Sequence, residues 1–101
     1  MRRLAIVVST DVDLAAAFDL ARAARDSGVE VGMFFMSDAL PGLPVRRGEI
    51  AALAEDGCEI AICAASASAY GLGADEIGLE LGGQDDHAAI VSRADRVIAF
   101  T

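Results

Sequence analysis

Glu59-Ile60-Ala61-Ile62-Cys63-Ala64-Ala65-Ser66-Ala67-Ser68-Ala69-Tyr70-Gly71 is the stretch on which the fold turns. A short apolar run ends at a cysteine, small residues follow, and Tyr70-Gly71 closes the segment. It reads as a buried strand that delivers Cys63 to a strand-to-helix turn. In a parallel α/β sheet, ligands and chemistry gather outside the carboxyl ends of the strands, so a thiol placed there can be a nucleophile. It can equally be a small core residue, because free cysteine is among the most buried side chains and structural cysteines are inert.

The segments on either side support the strand reading. Leu4-Ala5-Ile6-Val7-Val8 is fully apolar and β-branched, as a central strand covered on both faces should be. After the turn Ser9 to Asp13, where Asp11 or Asp13 can cap a helix, Leu14, Ala17, Phe18, Ala21 and Ala24 fall on one helix face. Gly28 ends that helix. Val29 to Met36 reads as a second strand, and Pro41, Gly42 and Pro44 mark a loop. Gly48 to Asp56 is a short helix stopped by Gly57. Beyond the central stretch, Ser66 to Glu76 reads as a helical turn and a Gly-rich loop, and Ile77 to Leu81 as a brief extra strand. Gln84 to Arg93 is a helix whose acids, Asp85 and Asp86, and base, Arg93, sit at the ends the dipole favours. Val97 to Phe100 is a final strand. The alternation predicts an α/β fold, a single three-layer α/β/α domain over 1–101 with a mainly parallel sheet of about five strands.

Composition narrows the function. The chain has 101 residues, 54% of them hydrophobic, and a mean hydropathy of +0.45. So apolar a small domain suits a doubly covered sheet, or a homo-oligomer that buries part of the excess between subunits. A net charge of −8 argues against nucleic acid and against anionic membrane surfaces. No segment approaches the ~20 apolar residues of a membrane span. Met1 to Val8 imitates a signal peptide only loosely, since its apolar part is short and Asp11 and Asp13 follow. The expected compartment is the cytoplasm.

Cys63 is the first candidate for chemistry. The thiolate is the nucleophile, and a helix N-terminus lowers a thiol pKa. No His, Lys or Arg is near it in sequence. Cys58 lies roughly 16 Å away at ~3.3 Å per extended residue, beyond the ~7 Å that a disulfide allows between Cα atoms. It reads as a turn or core residue. His87, the sole histidine, reads as an exposed helical residue, and with two distant cysteines it falls short of a zinc site. Gly71-Leu72-Gly73 and Gly82-Gly83 lack the phosphate-loop patterns. Asp11, Asp13 and Asp38 fall at two strand ends, where they can bind Mg²⁺ or simply cap and turn the chain. Ser66 and Ser68 have no His-Asp partner pattern. No cofactor or metal is expected.

Four pieces then carry a resemblance: the first strand with its Ala-rich helix closing at Ser27-Gly28-Val29-Glu30-Val31; Phe34-Phe35 followed by Asp38; Gly57 through Ile62 with Cys63, small residues and Gly71; and Ala94-Asp95-Arg96-Val97-Ile98-Ala99-Phe100. In this order and spacing the chain resembles the DsrE/DsrF-like family, which includes TusD-type sulfur-relay proteins. The resemblance implies a small α/β/α domain assembled into trimers or hexamers, or into hetero-oligomers with related subunits. It also implies a cysteine after the third strand that carries sulfur as a persulfide, and Cys63 falls on that position. The chain departs from the pattern at Tyr70, where relay members carry an Arg before the glycine. Basic help for the thiolate is then missing or comes from another subunit.

The leading expectation is a sulfur carrier or sulfurtransferase subunit using Cys63, exchanging sulfur with donor and acceptor proteins. The alternative is a non-catalytic oligomeric subunit, or a small-molecule binding protein, with Cys63 buried. A Mg²⁺-dependent receiver-like domain is a third reading, but it needs an Asp where Cys63 stands.

Overall fold

The computed structural model describes residues 1–101. Its sheet has four parallel strands in the order β3-β2-β1-β4: β1 Arg3–Thr10, β2 Glu30–Asp38, β3 Glu59–Ile62 and β4 Arg96–Phe100. The helices are α1 Leu14–Asp26, α2 Arg47–Glu55, α3 Ala64–Ala69, α4 Ala74–Ile77 and α5 Gln84–Arg93, with two 3₁₀ turns between β2 and α2. No helix is long and apolar enough to cross a membrane.

β1 owes its central place to its sequence. Leu4 through Val8 are all buried, and its alternate residues serve opposite faces. Leu4, Ile6 and Val8 join Val31, Met33 and Phe35 of β2 under α1 and α2, which contribute Leu14, Phe18, Ile50 and Leu53. Phe18 and Phe35 stack with centroids 5.5 Å apart. The other face is smaller. Ala5, Phe34, Cys63 and Ile90 form it, with α5 as the covering helix. Gly32 lets α5 come close, since a Cβ there would stand 2.9 Å from Ile90.

The expected helix cap at Asp11 or Asp13 is not made by a carboxylate. Asp13 occupies the cap position without a side-chain hydrogen bond, and the Thr10 hydroxyl accepts from the Val12 N–H. The extra strand expected at Ile77 to Leu81 is absent, which leaves four strands where about five were expected. Ile77 is instead the last, fully buried residue of α4, and Gly78 turns the chain at φ 91°. Only Gly82 pairs with the sheet, in a single parallel bridge to Cys63.

β4 is an edge strand, largely exposed except at Phe100, which packs against the core. Four of its residues are exposed, with Val97 at 47% and Ile98 at 39%. A groove of about 420 Å³ runs beside it, lined by Leu4, Leu20, Ala24, Val29, Val97 and Ile98.

Candidate functional site

Cys63 lies where β3 hands over to α3, as the sequence predicts. It occupies the N-cap position of α3 with extended backbone (φ −65°, ψ 115°). Its own N–H donates to the Phe35 carbonyl at 2.9 Å, which ties it to β2. On the outer side the Gly82 N–H donates to the Ile62 carbonyl at 2.7 Å, and the Ala64 N–H donates to the Gly82 carbonyl at 2.8 Å. The cysteine backbone is thus clamped between β2 and the segment leading into α5. Glycine at 82 leaves room for the Asp86 carboxylate, which would stand 2.2 Å from a Cβ there and would have to move. That carboxylate in turn accepts the Gly83 N–H at 2.9 Å and caps α5.

The sulfur collects donors. The Ser66 N–H points to Sγ at 3.5 Å, and the Gln84 amide nitrogen approaches it at 3.8 Å. The Ser66 hydroxyl accepts the Ser37 N–H at 2.8 Å, which leaves its own proton free for the sulfur. Ser37, the penultimate residue of β2, has a left-handed φ of 52°, and this hydrogen bond holds it there. Burial pushes the Cys63 thiol up, but the donors at Ser66, Ala65 and Gln84 outweigh it, and the net displacement is downward. None of these donors belongs to a basic side chain. The downward displacement comes from the Ser66 hydroxyl, the helix-start N–H groups and the Gln84 amide.

Tyr70 stands elsewhere. It is 45% exposed, and its hydroxyl donates to Asp38 at the end of β2. That bond holds the phenol above its ordinary range, aided by the nearby charges of Asp38 and Asp11. Asp11, Asp13 and Asp38 do not converge with other ligating side chains into a group that could hold a metal ion. Ser68 is exposed and takes no part in the site.

Cys58 meets the expectation of a turn or core residue. It follows Gly57, which adopts φ 97° past the end of α2. The Cys58 N–H donates to the Leu53 carbonyl at 3.0 Å and the Gly57 N–H to the Ala54 carbonyl at 3.1 Å, a Schellman closure. Burial pushes this thiol up. Both cysteines are free.

Sequence reasoning missed two residues. His87 is half-buried, not exposed, and its ring lies flat on Phe34 at 4.7 Å with 6° between planes. Its Nδ1 is 3.0 Å from the Gln84 side-chain oxygen. The available signal was the spacing Gln84, His87 on one helix face, but nothing local points that face at Cys63.

The family model described as DsrE/DsrF-like family matches residues 47–100. The chain belongs to the DsrE/DsrF-like family. The match begins at α2 and includes Cys63, α5 and β4. Among solved structures, the protein of unknown function MTH1491 from Methanobacterium thermoautotrophicum superposes with a TM-score of 0.80 at 14% identity, over 98% of this chain and 99% of that one. This likeness shows the fold. No curated protein matches the chain at a significant level.

Proposed function

We propose that this DsrE/DsrF-like chain, as one domain over 1–101, is a sulfur carrier or sulfurtransferase subunit that holds sulfane sulfur on Cys63. The observation that carries the reading is a thiol at the carboxyl edge of a parallel sheet, ringed by N–H donors at a helix start. Such a setting favours thiolate, the reactive form. The Cys63 thiolate attacks the outer sulfur of a donor persulfide, R–S–SH. A new S–S bond forms as the donor's S–S bond breaks, leaving R–S⁻ and Cys63–S–SH. An acceptor thiolate then takes the outer sulfur, and Cys63 leaves as thiolate. No external oxidant or reductant enters the exchange.

The donors around Sγ have a part in each half. They stabilise the thiolate before attack and again as the leaving group. A lower leaving-group pKa speeds departure, which suits a residue that must release its cargo. Ala64 and Ala65 are both exposed and too small to fence the approach. The partners in this reading are donor and acceptor proteins, and the working form is an oligomer, for which the largely exposed β4 supplies an apolar surface.

The test is intact mass after the reduced protein meets a polysulfide donor. The expected result is a gain of one sulfur atom that maps to Cys63 and disappears on thiol reduction. No gain on a Cys63 that also resists alkylation in the folded state defeats the proposal.

A second reading, a non-catalytic subunit or small-molecule binding protein with a structural cysteine, has one observation in its favour. Cys63 is only 5% exposed and packs against Ala5, Phe34 and Ile90. The same mass measurement separates the two.

A further inference from the structure

We infer that Gln84 and His87 are positioning residues for the Cys63 sulfur: the imidazole holds the amide oxygen, so that the amide N–H faces the thiol. The inference rests on reading Cys63 as the reacting thiol and extends the site to α5.

The geometry is a chain of contacts with one fixed end. Phe34 is fully buried in β2 and cannot shift. His87 stacks on it at 4.7 Å, nearly parallel, which sets the plane of the imidazole. Nδ1 then lies 3.0 Å from the Gln84 oxygen, and the Gln84 nitrogen lies 3.8 Å from Sγ. A primary amide has an accepting end and a donating end. A partner that holds its oxygen elsewhere favours the orientation in which its N–H faces sulfur. Here the partner for that oxygen is Nδ1–H, present in one neutral tautomer and in the imidazolium. With the proton on Nε2 alone, Nδ1 becomes an acceptor, the amide reverses, and its oxygen faces the sulfur. That orientation accepts from S–H and repels S⁻. The imidazole proton thus chooses which form of the thiol the amide favours.

The surroundings leave this arrangement little competition. The sheet residues packed around Cys63 and α5 are Ala5, Phe34, Met36 and Ala61, none of which titrates. The charges on the same turn of α5 are Asp85 and Asp86, and Asp86 is committed to the Gly83 N–H. At the far end of α5, Arg93 is paired with Glu59 at 2.6 Å. Gln84 is itself exposed, so changing it leaves the core intact.

The experiment is the rate of Cys63 alkylation by iodoacetamide as a function of pH, followed by mass spectrometry. The variants are Gln84→Leu, His87→Phe, the double variant and His87→Gln. His87→Phe keeps a flat aromatic ring on Phe34 and removes both ring nitrogens, Nδ1 among them. The expected result is that both single variants move the profile to higher pH, slowing alkylation below the midpoint by about threefold, the worth of one modest hydrogen bond. The double variant should be no slower than either single one, because the two residues act as one unit. His87→Gln restores a donor to the Gln84 oxygen and should bring the profile back toward the parent. An unchanged profile in His87→Phe overturns the inference, as does full additivity. Alkylation needs no sulfur donor, so failure of persulfide loading and failure of this arrangement show up in separate measurements.

Discussion

Cys58 and Cys63 bracket the four residues of β3 and are equally covered, at 6% and 5% exposure. Their thiols are nevertheless displaced in opposite directions. The difference lies in which end of a helix each one meets. Cys58 follows α2, where the chain presents carbonyls. Its N–H closes the helix end, its side chain fills the core beside Leu53, and burial outweighs the opposing charge of Arg25. Cys63 precedes α3, where the Ser66 hydroxyl, the N–H groups of Ser66 and Ala65 and the Gln84 amide together overcome burial. Equal burial thus leaves the two thiols displaced in opposite directions, according to the donors that face each one.

The largest effect should come from removing each thiol in turn. Cys63→Ser should abolish the mass gain from a polysulfide donor, while Cys58→Ser loads normally, read by intact mass on the two proteins side by side. The reverse pattern would reassign the carrier thiol. Cys58→Ser should show in stability instead. A hydroxyl in that apolar site should cost about 1–3 kcal/mol, measured by urea unfolding.

Next in size is the response of the two sites to pH. The folded-state pKa of Cys63 is lowered, so its contribution to stability is present above the unfolded pKa and fades as pH falls through the folded value. That of Cys58 is raised, so its contribution is present below the unfolded pKa and is lost as pH rises through the folded value. Against the parent protein, Cys58→Ala should therefore lose less stability on passing from neutral to alkaline buffer, and Cys63→Ala should lose more. Thermal melts at matched pH values would expose equal behaviour of the two, which would erase the distinction drawn here.

Ser66→Ala probes the donors themselves. It removes the acceptor for the Ser37 N–H and a donor to the sulfur at once. Expected are a loss of about 1 kcal/mol in denaturant stability and a shift of the Cys63 alkylation profile to higher pH. A stability loss with an unmoved profile would leave Ser66 with a purely structural task.

The smallest effect belongs to Tyr70→Phe. The side chain is exposed and its partner is Asp38, away from the sulfur. Alkylation of Cys63 should be unchanged. The phenol itself should titrate above the ordinary tyrosine range in the parent and return to it in Asp38→Asn, followed by ultraviolet absorbance.

The sequence makes the frame legible through period and punctuation. The apolar run at Leu4 to Val8 has the composition of a doubly covered strand, and Gly28 and Gly57 mark helix ends that the backbone closes as expected. Cys63 at a strand-to-helix turn was readable for the same reason. The strand expected at Ile77 to Leu81 failed because Ile77, Leu79 and Leu81 alternate as strand residues do. Their neighbours decide otherwise: Ala74 to Glu76 begin a helical turn capped by a Glu76 hydrogen bond to the Gly73 N–H, and Gly78 breaks the extension. His87 was misread because its burial depends on Phe34, more than fifty positions earlier, and on Gly32 admitting α5 to the sheet. Contacts made through the sheet leave no mark on local sequence.

If copies of this chain pair through β4, as the proposed oligomer would, stability depends on protein concentration. The strand ends the sheet with a row of backbone groups open on one side and with Val97 and Ile98 uncovered. Whatever seats there stabilises the folded chain in proportion to the logarithm of its concentration. Dilute and concentrated preparations need not melt at the same temperature. An edge of this kind is also a template for unwanted strand pairing, and natural sheets usually guard such edges with charge. The sole charge within this strand is Arg96, at its first residue.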